Sequence, residues 1–212
     1  MIDRIFAFCQ EASEDECTEF KASFVAGMVQ AHRGEATVTR ELLTLVVRSD
    51  AFCREVRDYY ARQNRQAFIQ QLAPGLCTLM MADLPNMSMV IHNEDMAPLD
   101  LAPDAATQIA RTQTLAEMPR VDEVVDISEH PVTLSGYPNM TSLLLDSAAW
   151  TRLAAREDFV IAVPEDSYII IERRDRVTPA FRADVAGRMR AAQRGVSAQL
   201  YRWENGRWVV VP

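Results

Sequence analysis

The chain has 212 residues, 49% hydrophobic and 25% charged, a composition that fits a globular protein able to bury about 70% of its unfolded surface without metal or disulfide. Its formal charge of −8 opposes a phosphate backbone unless a local basic face overrides the total. That charge is uneven: residues 1–72 carry 9 basic and 11 acidic groups, 73–150 carry 2 and 11, and 151–212 carry 11 and 8. Only the last segment offers a basic face, through Arg173, Arg174, Arg176 and Arg182, and acids such as Glu172, Asp175 and Asp184 alternate with it. No stretch reaches the roughly 20 apolar residues of a membrane span. Neither nucleic acid nor membrane is therefore an expected partner. The N-terminus, with Asp3, Arg4 and the acidic run Glu14 to Glu16, does not read as a secretory signal. Cys9, Cys17, Cys53 and Cys77 show no close Cys-x-x-Cys spacing, so they read as free thiols that pack like small hydrophobes in a reducing cytoplasm.

In chain order, residues 2–12 read as a short apolar helix, and Ser13 with Glu16 forms a capping box for a second helix to His32. Cys17, Phe20, Phe24, Val25 and Met28 make its buried stripe, and Gly34 stops it. Residues 36–48 read as one or two strands, and a helix follows over 51–72, ending before Pro74-Gly75. Leu76–Met81 and Met87–His92 are strand-like around the turn Asp83 to Asn86. A helix is expected over 104–117, a strand over 121–127, a short partner at 132–134, and a helix from Ser147 to Ala155. Phe159–Val163 and Tyr168–Ile171 form a hairpin around Pro164 to Ser167. Thr178 and Pro179 open a helix to about Arg194. Asn205-Gly206 then turns a final hairpin, 199–203 with 207–211. Helices alternating with antiparallel hairpins predict an α+β fold, helices packed on mainly antiparallel sheet, and not a doubly wound one. The proline-bounded stretch 98–103 is the boundary if the chain divides into a lobe 1–97 and a lobe 98–212; one continuous domain is the other arrangement.

The run Leu143-Leu144-Leu145-Asp146, then Val160 to Pro164, then Tyr168 to Ile171 with a helix and hairpin after it resembles the YtpQ-like family of bacterial cytoplasmic proteins, a domain without an assigned activity. The element order is similar from about 87 to 211, and the residue pattern over 142–171. The family pattern leads one to expect an acid three positions after the proline. Here Ser167 stands at that position and Asp166 one place earlier, which argues against a functional carboxylate at this turn. The resemblance implies a shared fold and no particular chemistry.

No glycine-rich phosphate loop, nucleophile elbow or zinc spacing is present in the sequence, so no cofactor or metal is expected. His92, Glu94 and Asp95 form the one group that could do acid–base or metal chemistry, against the plainer reading of a polar turn leaving a strand. His32 and His130 read as structural. Met87 and Met89 belong to a methionine-rich stretch of the kind used at adaptable binding surfaces. Trp203 and Trp208 flank the last turn as near cross-strand neighbours. These features point to a non-enzymatic binding or adaptor protein that meets another protein, or its own copy, by a sheet face or edge. The alternative is a metal-dependent hydrolase built on His92, Glu94 and Asp95.

Overall fold

A computed structural model describes residues 9, 12–32, 38–84, 87–116 and 118–212. The helix expected at 2–12 (apart from Cys9 and Ala12), the stop at Gly34 and the turn residues Pro85 and Asn86 lie outside them. The first described helix, α1 (Glu14–His32), starts at the expected capping box, with the Ser13 N–H donating to Glu16 Oε2 at 2.9 Å. Cys17 and Phe24 are buried, but Val25 is 57% exposed, a correction to the stripe read from the sequence.

Two antiparallel sheets follow. The first contains β1 (Leu43–Ser49), β2 (Ile69–Ala73), β3 (Leu76–Leu84) and β4 (Met87–Val90), in the order β1-β3-β2 with β4 also on β3. β2 and β4 share one side of β3 and part at a fork. There the Met80 N–H donates to the Phe68 carbonyl, the Ile91 N–H to the Met80 carbonyl and the Phe68 N–H to the Ile91 carbonyl. The second sheet has the order β5-β7-β6-β8-β9. Its strands are β5 (Val132–Leu134), β6 (Phe159–Glu165), β7 (Tyr168–Arg173), β8 (Leu200–Glu204) and β9 (Arg207–Val211). The α+β class with antiparallel pairing is as the sequence predicts.

Strand alternation explains the layers. Leu43, Leu45, Val47, Met80 and Ala82 of the first sheet and Phe159, Ile161, Val163, Ile169, Ile171 and Tyr201 of the second face one common core. Trp150 and Trp208 are buried in it, with ring centroids 4.9 Å apart. The opposite faces are covered by helices. α2 (Asp50–Ala61) lies over Val46, Cys77 and Leu79. α6 (Pro179–Ala191), capped by Thr178 as predicted, lies over Val160, Ala162, Ile170 and Leu200.

Residues on both sides of position 98 contribute to the central core. The outer edge of β1 is closed from the C-terminal half. Thr114 of α3 (Pro103–Ala116) accepts from the Leu45 N–H at 2.8 Å, Ser142 accepts from the Val47 N–H at 3.4 Å, and the Thr141 hydroxyl donates to the Val47 carbonyl at 3.0 Å. These hydroxyls occupy an edge that would otherwise be open to pairing.

Two elements differ from expectation. The helix read over 51–72 ends at Ala61, because Asn64 takes a left-handed φ of 56° and the chain turns into β2. The strand read over 121–127 is instead a single helical turn, α4 (Val121–Val124), with Val121 buried and Val124 51% exposed. α5 (Ser147–Ala154) forms as expected, with Asp146 rather than Ser147 as its cap, accepting from the Ala149 N–H at 3.0 Å.

Candidate functional site

The structure divides the acid–base group. His92 is 1% exposed, and its Nδ1 lies 3.0 Å from Asp95 Oδ2, which also accepts from the His92 N–H at 2.9 Å. The Asp95 N–H in turn donates to the His92 carbonyl at 3.0 Å, and together these contacts close the start of the 3₁₀ segment Asn93–Leu99 in the manner of a capping box. Arg65 reaches Asp95 at 3.2 Å, and the Tyr60 ring stands edge-on to the imidazole with centroids 4.3 Å apart. Burial pushes the Asp95 carboxyl up, but the His92 hydrogen bonds and the Arg65 charge outweigh it and leave the group below its ordinary value. Glu94 is exposed and does not join the pair. His92 Nε2 is buried without a hydrogen-bond partner. Among the described residues no three His, Cys, Asp or Glu side chains are placed to hold a metal ion. The arrangement orients backbone, and it keeps the imidazole buried.

The other candidates divide between core and rim. Met87 and Met89 are half-buried on β4, opposite Leu84 and Ala82, and Met89 packs against the central core. Trp203 and Trp208 are directly paired across the hairpin, with centroids 5.0 Å apart. Trp208 is 3% exposed and its indole N–H donates to the Leu144 carbonyl at 3.0 Å, so it is a core residue rather than a contact patch. Trp203 is half-buried and donates to Thr151 Oγ1 at 3.0 Å. It lines a polar groove of about 390 Å³ with residues 154–159, Arg202 and Glu204.

The arginines of the basic segment are engaged locally. Arg173 pairs with Asp175 at 2.8 Å, Arg174 lies 3.8 Å from Asp158, Arg176 donates to the Ile127 and Ser128 carbonyls, and Arg182 donates to the Val211 and Pro212 carbonyls.

Asp166, set aside in the sequence because it is displaced by one position, is completely buried. Its Oδ2 lies 3.2 Å from Arg48 Nη2 and 3.2 Å from Arg194 Nε. Arg48 also donates to Asn139 Oδ1 at 2.6 Å. Burial pushes the Arg48 guanidinium down; Asp166 opposes that shift and Arg194 adds to it. One carboxylate thus joins the end of β1, the β6–β7 turn and the segment after α6. The only sequence signal was an acid in a tight turn; the partners come from residues far away in the chain.

An open feature lies where the two sheets approach. Among the described residues β2 pairs only with β3, and β9 only with β8. Their free edges border a groove of about 500 Å³ lined by Gln71, Leu72, Ala73, Pro74, Arg207, Trp208, Val209 and Val210. Among the described residues Arg207 is its only charged lining residue. Asn205 and Gly206 both take positive φ, 51° and 77°, and Glu204 pairs with Arg207. A two-residue turn of this kind makes Glu204–Arg207 a hydrogen-bonded pair. By alternation, the backbone groups of Trp208 and Val210 face away from β8 toward the open side. Across the groove the Pro74-Gly75 turn is pinned: Tyr201 Oη donates to the Pro74 carbonyl at 3.1 Å, and Asp50 accepts from the Gly75 N–H at 3.1 Å. Gly75 has φ +82°, and a Cβ there would meet Gln199 Oε1 at 3.0 Å. Burial pushes the Tyr201 hydroxyl up to about 12.

The cysteines require a correction. They are not free: Cys9 bonds Cys17 and Cys53 bonds Cys77. The pairs have Cα atoms 4.9 and 6.6 Å apart, within disulfide reach. The second pair is invisible to spacing rules because the β1–α2–β2–β3 path brings it together.

No protein-family model, curated protein or solved structure matches the chain. No helix among the described residues is long and apolar enough to cross a membrane.

Proposed function

We propose that this chain is a non-enzymatic binding protein that accepts an extended segment of a partner protein along the free edge of β9. One observation supports this reading above the others: the outer edges of β2 and β9, unpaired among the described residues, border a groove with a mainly apolar lining. An added strand would bond the outward backbone groups of Trp208 and Val210, and its alternate side chains would rest on Leu72, Pro74 and Val209. Arg207, alone among the lining residues in carrying charge, favours a segment with a carboxylate at the corresponding position. The proposed setting is the cytoplasm, and the proposed kinship is with YtpQ-like bacterial proteins. The hydrolase alternative lacks geometric support, since Glu94 stands apart and His92 is spent on a cap.

The test is capture of partners from the native cell on the full chain, identification by mass spectrometry, and affinity measurement on the captured protein. Val210→Pro removes an edge N–H without touching the β8 ladder, and Arg207→Glu reverses the only charge. Val210→Pro should weaken binding by about tenfold or more, roughly 1.4 kcal/mol, with an unchanged circular dichroism spectrum, and Arg207→Glu should weaken it less. Wild-type affinity in both variants would reject the groove as the site.

A further inference from the structure

We propose that Cys53 and Cys77 form a reversible dithiol–disulfide clasp that sets how firmly α2 covers the first sheet. α2 has twelve residues and one fully buried side chain, Cys53 itself. Val56 and Tyr60 pack partly against the sheet, whereas Phe52 and Tyr59 are 42% and 52% exposed. A helix this short is marginal without tertiary anchoring. The one side chain it buries fully is therefore the one bonded to Cys77, 2% exposed in the apolar cluster beneath it, while Asp50, accepting from Gly75 and Gln71, ties only its first turn.

Both redox states fit the same site. The carbonyls of Arg48 and Ser49 lie 3.4 and 3.3 Å from Cys77 Sγ, so the reduced Cys77 thiol has acceptors at hand. A chain of this length does not depend on a disulfide for its core, and the central core between the sheets holds neither sulfur. The bond therefore governs one local element. In a reducing compartment such pairs are transient and regulatory.

The chemistry balances against a small-molecule disulfide such as oxidised glutathione. One cysteine thiolate attacks it, forms a mixed disulfide and releases one glutathione thiolate. The second cysteine thiolate displaces the other. Two electrons pass from the pair to glutathione, and the two cysteine protons go to solvent or to the released thiolates. Because both sulfurs are buried, reaction in either direction proceeds through local opening of α2.

The experiment uses the full chain carrying Cys9→Ser and Cys17→Ser, so that only this pair responds. Samples are equilibrated with dithiothreitol or oxidised glutathione, alkylated to count thiols, and followed by amide hydrogen exchange. The expected result is reversible loss and recovery of two alkylatable thiols. Exchange over residues 50–61 should be about tenfold or more faster in the reduced state, with residues 159–171 unchanged. Addition of Cys77→Ala should hold α2 in the fast-exchanging state in either buffer. Equal protection of α2 in both buffers would overturn the proposal, as would thiols that stay alkylatable after oxidised glutathione. Loss of structure throughout on reduction, or a Cys77→Ala chain that does not fold, would make the bond a global staple and equally overturn it.

Discussion

α2 and α6 do the same work on opposite sides of the molecule, and they are held differently. Each covers the outer face of one sheet and each buries a single residue completely, Cys53 in α2 and Val185 in α6. α6 adds partly buried Phe181, the Thr178 cap, and Arg182 reaching the Val211 and Pro212 carbonyls. α2 has partly buried Val56 and Tyr60, a cap from Ser49, Asp50 accepting from Gln71 and Gly75, and the bond to Cys77. One cover is attached by packing and polar ties alone, whereas the other adds a covalent link to them. A distributed attachment weakens gradually when one contact is removed, whereas a covalent one is either present or absent.

The largest expected effect falls on the element that roots both covers. Arg48 precedes α2, Arg194 follows α6, and both meet buried Asp166. Asp166→Ala leaves the largely buried Arg48 charge without its partner and should cost about 3–5 kcal/mol, read by urea unfolding. Cooperative loss of both helices would show that they share this root. Reduction of the Cys53–Cys77 pair removes a link closing 24 residues of sequence separation and should speed amide exchange over α2 by about tenfold or more, with β6 and β7 little changed. Val185→Ala should cost about 2 kcal/mol, with α6 loosened and α2 unaffected; equal loosening of both would erase the distinction between the covers.

The smallest effect concerns Asp95. Its pKa lies below the ordinary value in the folded state, so its contribution is present above the unfolded carboxylate pKa and is lost as pH falls through the folded one. Asp95→Asn should cost about 1 kcal/mol at neutral pH, and the difference from wild type should shrink as pH drops below about 4. A pH-independent difference would mean that the carboxylate charge plays no part in the cap.

Local chemistry made much of this fold legible. The Ser13–Glu16 box, Thr178-Pro179 and Asn205-Gly206 act within a few residues, and each sits where the sequence places it. Elements decided by distant partners were not legible. Ile69–Ala73 has a helix-compatible composition, and only pairing with β3 makes it a strand. Val121, Val124 and Val125 are β-branched and suggest a strand, yet among the described residues no strand pairs with this segment, and it turns instead. The candidate site follows the same rule. His92 and Asp95 meet because they are three residues apart, whereas the burial of Asp166 and the β2–β9 groove depend on contacts that no spacing rule reports.

Among the described residues no strand pairs with the outward backbone groups of β9. The most direct measurement is amide exchange at Trp208 and Val210, by nuclear magnetic resonance on the full chain with and without the segment of the captured partner. Selective protection of these two amides on binding is the predicted result. A partner that binds while both exchange as fast as in the free protein would contradict it.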